Sequence, residues 1–233
     1  LHLLSRRQRQ MCIRDSIMTG STSFVGAATV RELLRRGHTV TAIVRPKSSK
    51  LDTILEGNEE ALLSGRLLVT ENDLSEPEKL LEKVTKPQDV FCHFGWGGSG
   101  SASRTDKALQ EKNMEISLET IRTAKALGCK KFLFSGSQAE YGMHQDLITE
   151  DTVCEPKSLY GEAKLAMREK GEKLCDELGL RYIHARIFSA YGPGDHPWTL
   201  VESCLDAFLN NKEMSLGACT QTVSYTHLTL PTT

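Results

Sequence analysis

A tyrosine and a lysine four residues apart, Tyr160 and Lys164 in YGEAK, carry the first chemical signal of the chain. On a helix, residues i and i+4 share a face, so a phenol and an ammonium are presented together. A free phenol titrates near pH ~10 and is a poor base at neutrality. A neighbouring ammonium, joined by the positive ring of a bound nicotinamide, favours the phenolate. Such a phenol can take or return a hydroxyl proton while hydride moves to or from a cofactor. Ser137, in FSGSQAEYG, closes a strand-like run and is expected to hydrogen-bond the same substrate oxygen. The YxxxK spacing alone arises often by chance. A serine at a strand end and a glycine loop upstream make it specific.

That loop is TGSTSFVG, residues 19–26. Gly20 suits a tight turn with the backbone close to a pyrophosphate, and Gly26 lets a helix pack near a sheet. The following helix points its free N–H groups at the anion. Ser23 stands where the middle glycine of a dinucleotide loop is expected. Serine fits there while φ stays negative, and its hydroxyl is expected to donate to phosphate. At the end of the second strand an acid would accept from the adenosine ribose and favour NAD. Here Val44 is followed by Arg45, with Lys47 close by. A guanidinium suits a 2′-phosphate, so NADP is favoured over NAD.

These residues need a frame. Apolar β-branched runs alternate with helix-period runs: helix 24–36 closed by Gly37, strand 38–44, strand 66–73, strand 89–96, helix 108–127 before Gly128, strand 130–137, helix 160–178, strand 181–188 and helix 200–209. This alternation argues for a parallel sheet covered on both faces. With a glycine loop after strand one, the fold expected is the doubly wound α/β (Rossmann-type) one. Of the 233 residues 39% are hydrophobic and 25% charged, which is globular composition, and a net charge of −1 gives no case for nucleic acid or an anionic membrane. No apolar run approaches the ~20 residues of a membrane span. The seven cysteines form no CxxC pair, and Cys92 and Cys129 sit inside apolar runs, so a reducing, cytoplasmic setting is expected. His93 reads as a core residue within its strand. His144, His184 and His196 are scattered, so no metal site is expected. No GxSxG surrounds Ser137, which disfavours a hydrolase.

Over about residues 17–221 the chain resembles the extended short-chain dehydrogenases/reductases of the NAD-dependent epimerase/dehydratase type, a group that includes UDP-glucose 4-epimerases. The motifs carrying the likeness are TGSTSFVG, NDL, HFGW, EKN, SGSQAEYG, YGEAK and RIFSAYGPGD. The resemblance implies that Asp73 and Leu74 lie along the adenine. It implies that Phe24 belongs to the cofactor loop and that Phe94, Gly95 and Trp96 line the cofactor after strand four. By the same likeness Asn113 braces that strand from the long helix, and Lys164 also contacts the nicotinamide ribose. Tyr191 begins the substrate-side loop. Ser189 stands where many nucleotide-sugar relatives carry a substrate-contacting asparagine. The acidic pair that sugar 4,6-dehydratases use after the serine is missing, which argues against dehydration.

The activity implied is NAD(P)-dependent epimerisation or 4-keto reduction of a nucleotide-linked sugar. The alternatives are an NADPH-dependent reductase of small ketones and a catalytically silent dinucleotide sensor. The likeness leaves a homodimer open. Both ends depart from the pattern. LHLLSRRQRQMCIRDS is Arg-rich and places Arg14 and Asp15 in the expected first strand, whereas VSYTHLTLPTT is Thr-rich without helical period. We therefore expect residues 1–16 and 223–233 to be non-native, 17–188 to be the dinucleotide-binding domain, and 189–222 to begin a substrate-binding region that is largely missing. On that reading the chain as it stands turns over substrate poorly.

Overall fold

A computed structural model of the chain describes residues 14–98, 102–144 and 147–215. The expectations for residues 1–13 and 216–233 lie outside them. The strands are β1 (Asp15–Thr19), β2 (Thr39–Val44), β3 (Leu67–Glu71), β4 (Val90–His93), β5 (Lys131–Ser137) and β6 (Arg181–Ile187). The helices are α1 (Phe24–Arg35), short α2 (Asp52–Leu55), α3 (Glu59–Leu63) and α4 (Leu80–Lys83), then α5 (Lys107–Ala126), α6 (Leu159–Leu178) and α7 (Leu200–Leu209). All six strands are parallel, in the order β3-β2-β1-β4-β5-β6. This is the doubly wound order, which reverses direction between β1 and β4 and opens a crevice at the carboxyl ends of those two strands.

Side chains alternate along each strand, so neighbouring residues feed opposite cores. Ile17, Ile43, Phe91, Phe132 and Phe134 pack on one face with Ile121 and Met167 from α5 and α6. Met18, Ala42, Val44 and Cys92 pack on the other with Ala27, Val30 and Leu34 of α1. Each large apolar side chain so buried contributes about 1.5–3 kcal/mol. Cys92 and Cys129 are free thiols within these cores, and burial pushes both up to about 12.

The charged start of the first strand proves compatible with this sheet. Arg14 lies outside β1 and is exposed, and Asp15 sits at its mouth, where its N–H donates to Asp89 Oδ2 (3.3 Å). The buried stretch runs from Ser16 to Thr19 and pairs with both β2 and β4. Beyond Asp15 at its mouth, β1 carries no charged side chain into the core. Among the described residues no helix is long and apolar enough to cross a membrane.

Candidate functional site

At the crevice between β1 and β4 lies a cleft of about 400 Å³. Gly20, Ser23, Arg45, Asp73, Leu74, Phe94, Gly95 and Trp96 line it, so eight residues expected on the cofactor side come together there. Glycine is required at Gly20, whose φ is +69° and where a Cβ would stand 2.7 Å from the Phe94 carbonyl carbon. A Cβ on Gly26 would collide with Gly20 O, so Gly26 is what lets α1 begin against the turn. Phe24 is the first residue of α1, directly behind this turn.

Ser23 keeps a negative φ of −76°, as its type demands, and caps α1. Its hydroxyl, however, donates to Gly20 O (2.7 Å) and accepts from Gly26 N–H (3.1 Å). A hydroxyl has one hydrogen, so the expected donation to phosphate is replaced by an internal bond that braces the turn. The middle glycine is thus exchanged for a built-in helix cap. The positive end of α1 and the nearby N–H groups remain suited to a pyrophosphate. Arg45 and Lys50 also line the cleft. The donor set and the glycine cradle therefore fit a dinucleotide.

Asp73 turns its carboxylate into its own loop. It accepts from Ser75 N–H (2.8 Å) and Ser75 Oγ (2.6 Å), which hold it below the usual carboxylate range. Asn72, which sequence reasoning missed, is buried behind it and donates to Asp73 O and Glu76 O (2.9 Å each). Asn113 braces the loop beyond β4 rather than the strand itself: its amide exchanges two hydrogen bonds with Gly97, at 2.9 and 3.0 Å. The strand is held by His93, which bonds Thr19 Oγ1 (2.8 Å) and Ser117 Oγ (3.1 Å). Burial pushes His93 down to about 3. It is a neutral core residue, as its setting in the strand implied.

Beside the cleft stands the candidate acid–base corner. Ser137 ends β5 and caps the short turn Gln138–Glu140. α6 starts at Leu159, capped by Ser158 Oγ, which accepts from Gly161 N–H (3.1 Å). A Cβ on Gly161 would collide with Ala139 O, so this glycine lets the first turn of α6 press onto the 138–140 turn. That approach brings the first turn of α6, with Tyr160, onto the turn that Ser137 caps. The Trp96 ring meets Tyr160 edge-on at 6.2 Å and joins this corner to the cleft.

Lys164 is buried. Its Nζ donates to Ser135 O (2.7 Å), lies 3.9 Å from the Trp96 ring centre and is 5.7 Å from that of Tyr160. Burial pushes the ammonium down to about 7, against the pull of Glu140. Burial also raises the Tyr160 phenol, with Ser137 and then Arg104 pulling it back. The Arg104 guanidinium lies 5.1 Å from the Tyr160 ring centre. In this geometry Arg104 lies nearer the phenol ring than Lys164 does. The signal for Arg104 was too faint to read, because it stands 56 residues from Tyr160 in a loop.

Glu140 and Tyr141, which follow Ser137, are buried. Glu140 accepts from Ser137 N–H (2.7 Å), His184 Nε2 (2.9 Å) and Arg186 Nε (2.8 Å). Arg186 also donates to Tyr141 Oη (2.8 Å). Ser189 and Tyr191 follow β6, both exposed, and Ser189 Oγ reaches Gln138 at 3.5 Å. They do not line the cleft.

A family model described as "NAD dependent epimerase/dehydratase family" matches residues 16–228. Among curated proteins, an uncharacterized UDP-glucose epimerase of Bacillus subtilis is 25% identical over 228 residues, covering 91% of this chain and 68% of that protein. A D-erythronate dehydrogenase of Cupriavidus necator is 29% identical over 175 residues, covering 73% of this chain and 52% of that protein. A solved UDP-glucuronic acid 4-epimerase from Bacillus cereus in complex with NAD superposes with a TM-score of 0.68 at 22% identity, covering 85% of this chain and 63% of that one. This chain thus spans about half the length of the Cupriavidus relative and under two thirds of the solved one.

Proposed function

The chain belongs to the NAD-dependent epimerase/dehydratase family, and from there we propose that it binds a nicotinamide dinucleotide in the β1/β4 cleft and acts on a nucleotide-linked sugar as a 4-epimerase or 4-keto reductase. When bound, the nicotinamide supplies the acceptor and donor of hydride. Gly20 and the α1 terminus, with Ser23 bracing the turn between them, hold the diphosphate, and Leu74 and Asp73 flank the adenine. Tyr160 takes the proton of a sugar hydroxyl as that carbon gives up hydride, and returns it when hydride comes back. Ser137 hydrogen-bonds the same oxygen. Lys164 and Arg104 supply positive charge that makes the phenolate accessible.

The observation that carries this reading is Tyr160 set edge-on to Trp96 of the glycine-built cleft, with the first turn of its helix pressed onto the turn that Ser137 caps. Arg45 and Lys50 at the adenosine end favour the 2′-phosphate of NADP. The UDP-sugar epimerases among the relatives support the substrate class. The test is product analysis: the protein is incubated with NAD or NADPH and a panel of UDP-, GDP- and dTDP-sugars, and the sugars are resolved by chromatography. Conversion of none of them removes the reading.

A second reading is dehydrogenation or reduction of a small free carbonyl compound. It draws on Arg45 and on the likeness to a D-erythronate dehydrogenase. Turnover of sugar acids or simple ketones without any nucleotide sugar would favour it. Binding of dinucleotide with no turnover of either class would leave a silent sensor.

A further inference from the structure

Glu140 is fully buried, carries charge and lines no part of the cleft. Burial opposes that charge, but hydrogen bonds from His184, Arg186 and Ser137 outweigh it and hold the carboxyl below its usual range. A buried ion pair of this kind is weak evidence for stability, since well-packed apolar residues of similar volume often do as well or better. Its retention calls for another reason, and its neighbours supply one.

Glu140 Oε1 accepts the N–H of Ser137, while Ser137 Oγ accepts the N–H of Ala139 (3.2 Å). The two bonds form a reciprocal cap that fixes both the backbone and the hydroxyl of Ser137. With an acceptor position engaged, the Ser137 hydroxyl keeps its one hydrogen to donate. Arg186 Nε (2.8 Å) and His184 Nε2 (3.0 Å) hold the second carboxylate oxygen. His184 is itself bonded to the Tyr182 hydroxyl (3.1 Å), and Arg186 to Tyr141. The carboxylate is therefore anchored to β6 on one side and aimed at Ser137 on the other. Gly136 is shaped to the same arrangement. A Cβ there would lie 2.5 Å from His184 Nε2 and 2.6 Å from Glu140 Oε1.

We infer that Glu140 is a positioning residue: clamped by His184 and Arg186, it fixes Ser137 in the geometry that addresses the Tyr160 phenol. This rests on the proposed function only in taking Ser137 and Tyr160 as the acid–base pair. The groups facing Tyr160 are Ser137, Arg104, Glu140, Lys164 and Trp96, so a single variant would mix lost charge with lost positioning. A double-mutant cycle separates them.

The full chain is labelled with 3-fluorotyrosine, which lowers phenol titration into a range folded proteins survive. Its five tyrosines are followed by ¹⁹F NMR, with Tyr160 identified by its loss in Tyr160→Phe. Ser137→Ala is expected to raise the Tyr160 midpoint in the parent. In a Glu140→Gln background the same substitution should move it by less than half as much. An equal shift in both backgrounds, or no shift from Ser137→Ala in the parent, overturns the inference. Should Glu140→Gln fail to fold by circular dichroism, Arg186→Met replaces it in the cycle with the same two outcomes. No substrate is involved, so a chain that converts no nucleotide sugar defeats the proposed function while this test still returns its answer.

Discussion

The cleft and the acid–base corner lie side by side at the same edge of the sheet and are built from opposite materials. The cleft depends on the absence of side chains: Gly20 and Gly26 let backbone meet backbone, and a Cβ at either has no room. The corner depends on charge removed from water, in Lys164, Glu140 and Arg186. Backbone shape tolerates a change in the surrounding charges and fails on an added methyl. Buried charge tolerates a change of shape poorly and fails when one partner is lost. A binding defect and a chemical defect should therefore separate cleanly by region.

The sharpest separation is expected from Tyr160→Phe. The ring keeps its contact with Trp96 and loses only the oxygen. Turnover of a converted sugar should fall by about 10²–10⁴-fold, with dinucleotide affinity by fluorescence titration within twofold of the parent. A variant that retains a tenth of parental turnover would remove Tyr160 as the acid–base group.

Gly26→Ala should do the converse. Its methyl meets Gly20 O, and overpacking of this kind costs about 1–3 kcal/mol. Dinucleotide affinity should drop by about tenfold or more, and the thermal midpoint should fall. Unchanged affinity by calorimetry would show that the turn yields without moving the site.

Arg45→Asp tests the charged rim of an otherwise backbone-built cleft. Charge-assisted hydrogen bonds are worth about 1.5–3 kcal/mol, so NADPH binding should weaken about tenfold or more and NADH binding little. Equal weakening of both would make Arg45 a surface charge.

A separate effect is expected of pH on stability. Folded Lys164 titrates at about 7 against 10.5 for the free group. Between those values the unfolded chain holds the proton that the folded chain has released. Stability should therefore rise as pH climbs from about 7 towards 10, and the burdened, charged form should prevail below 7. Chemical denaturation across this range should show that rise in the parent and a flatter profile in Lys164→Met. Parallel profiles would mean that the ammonium keeps its charge in the folded chain.

Much of the cleft was legible because its signals are local. TGSTSFVG lies within one turn and one helix start, and the alternating strand and helix periods give the sheet and its crossovers. Ser137, Tyr160 and Lys164 were legible as residue types at telling positions. The clamp beneath them was not. His184 and Arg186 are two apart and share a face of β6, but only the register that pairs Phe134 with His184 and Gly136 with Arg186 brings them to Glu140. The alternation in HAR was the one available hint. The same holds for the cation nearest the phenol ring: spacing pointed to Lys164, while packing against Trp96 and Phe134 draws that ammonium aside and leaves Arg104 over the ring. Ser23 fits at its negative φ, while the bond from its hydroxyl to Gly20 O within the turn is invisible to residue type.

The place of β1 in the sheet also bears on how the chain comes to be folded. β1 leaves the ribosome before any other strand described here, yet it ends in the middle of the sheet. Its partner across the switch point, with Thr19 paired to His93, is made 74 residues later. Until β4 emerges, one edge of this interior strand stands unpaired. Contacts this distant along the chain are slow to form, and exposed strand edges invite wrong partners. The crevice at the switch point is thus completed by a late event in synthesis, and a nascent chain stalled between β3 and β4 carries the glycine turn with only one of its two walls.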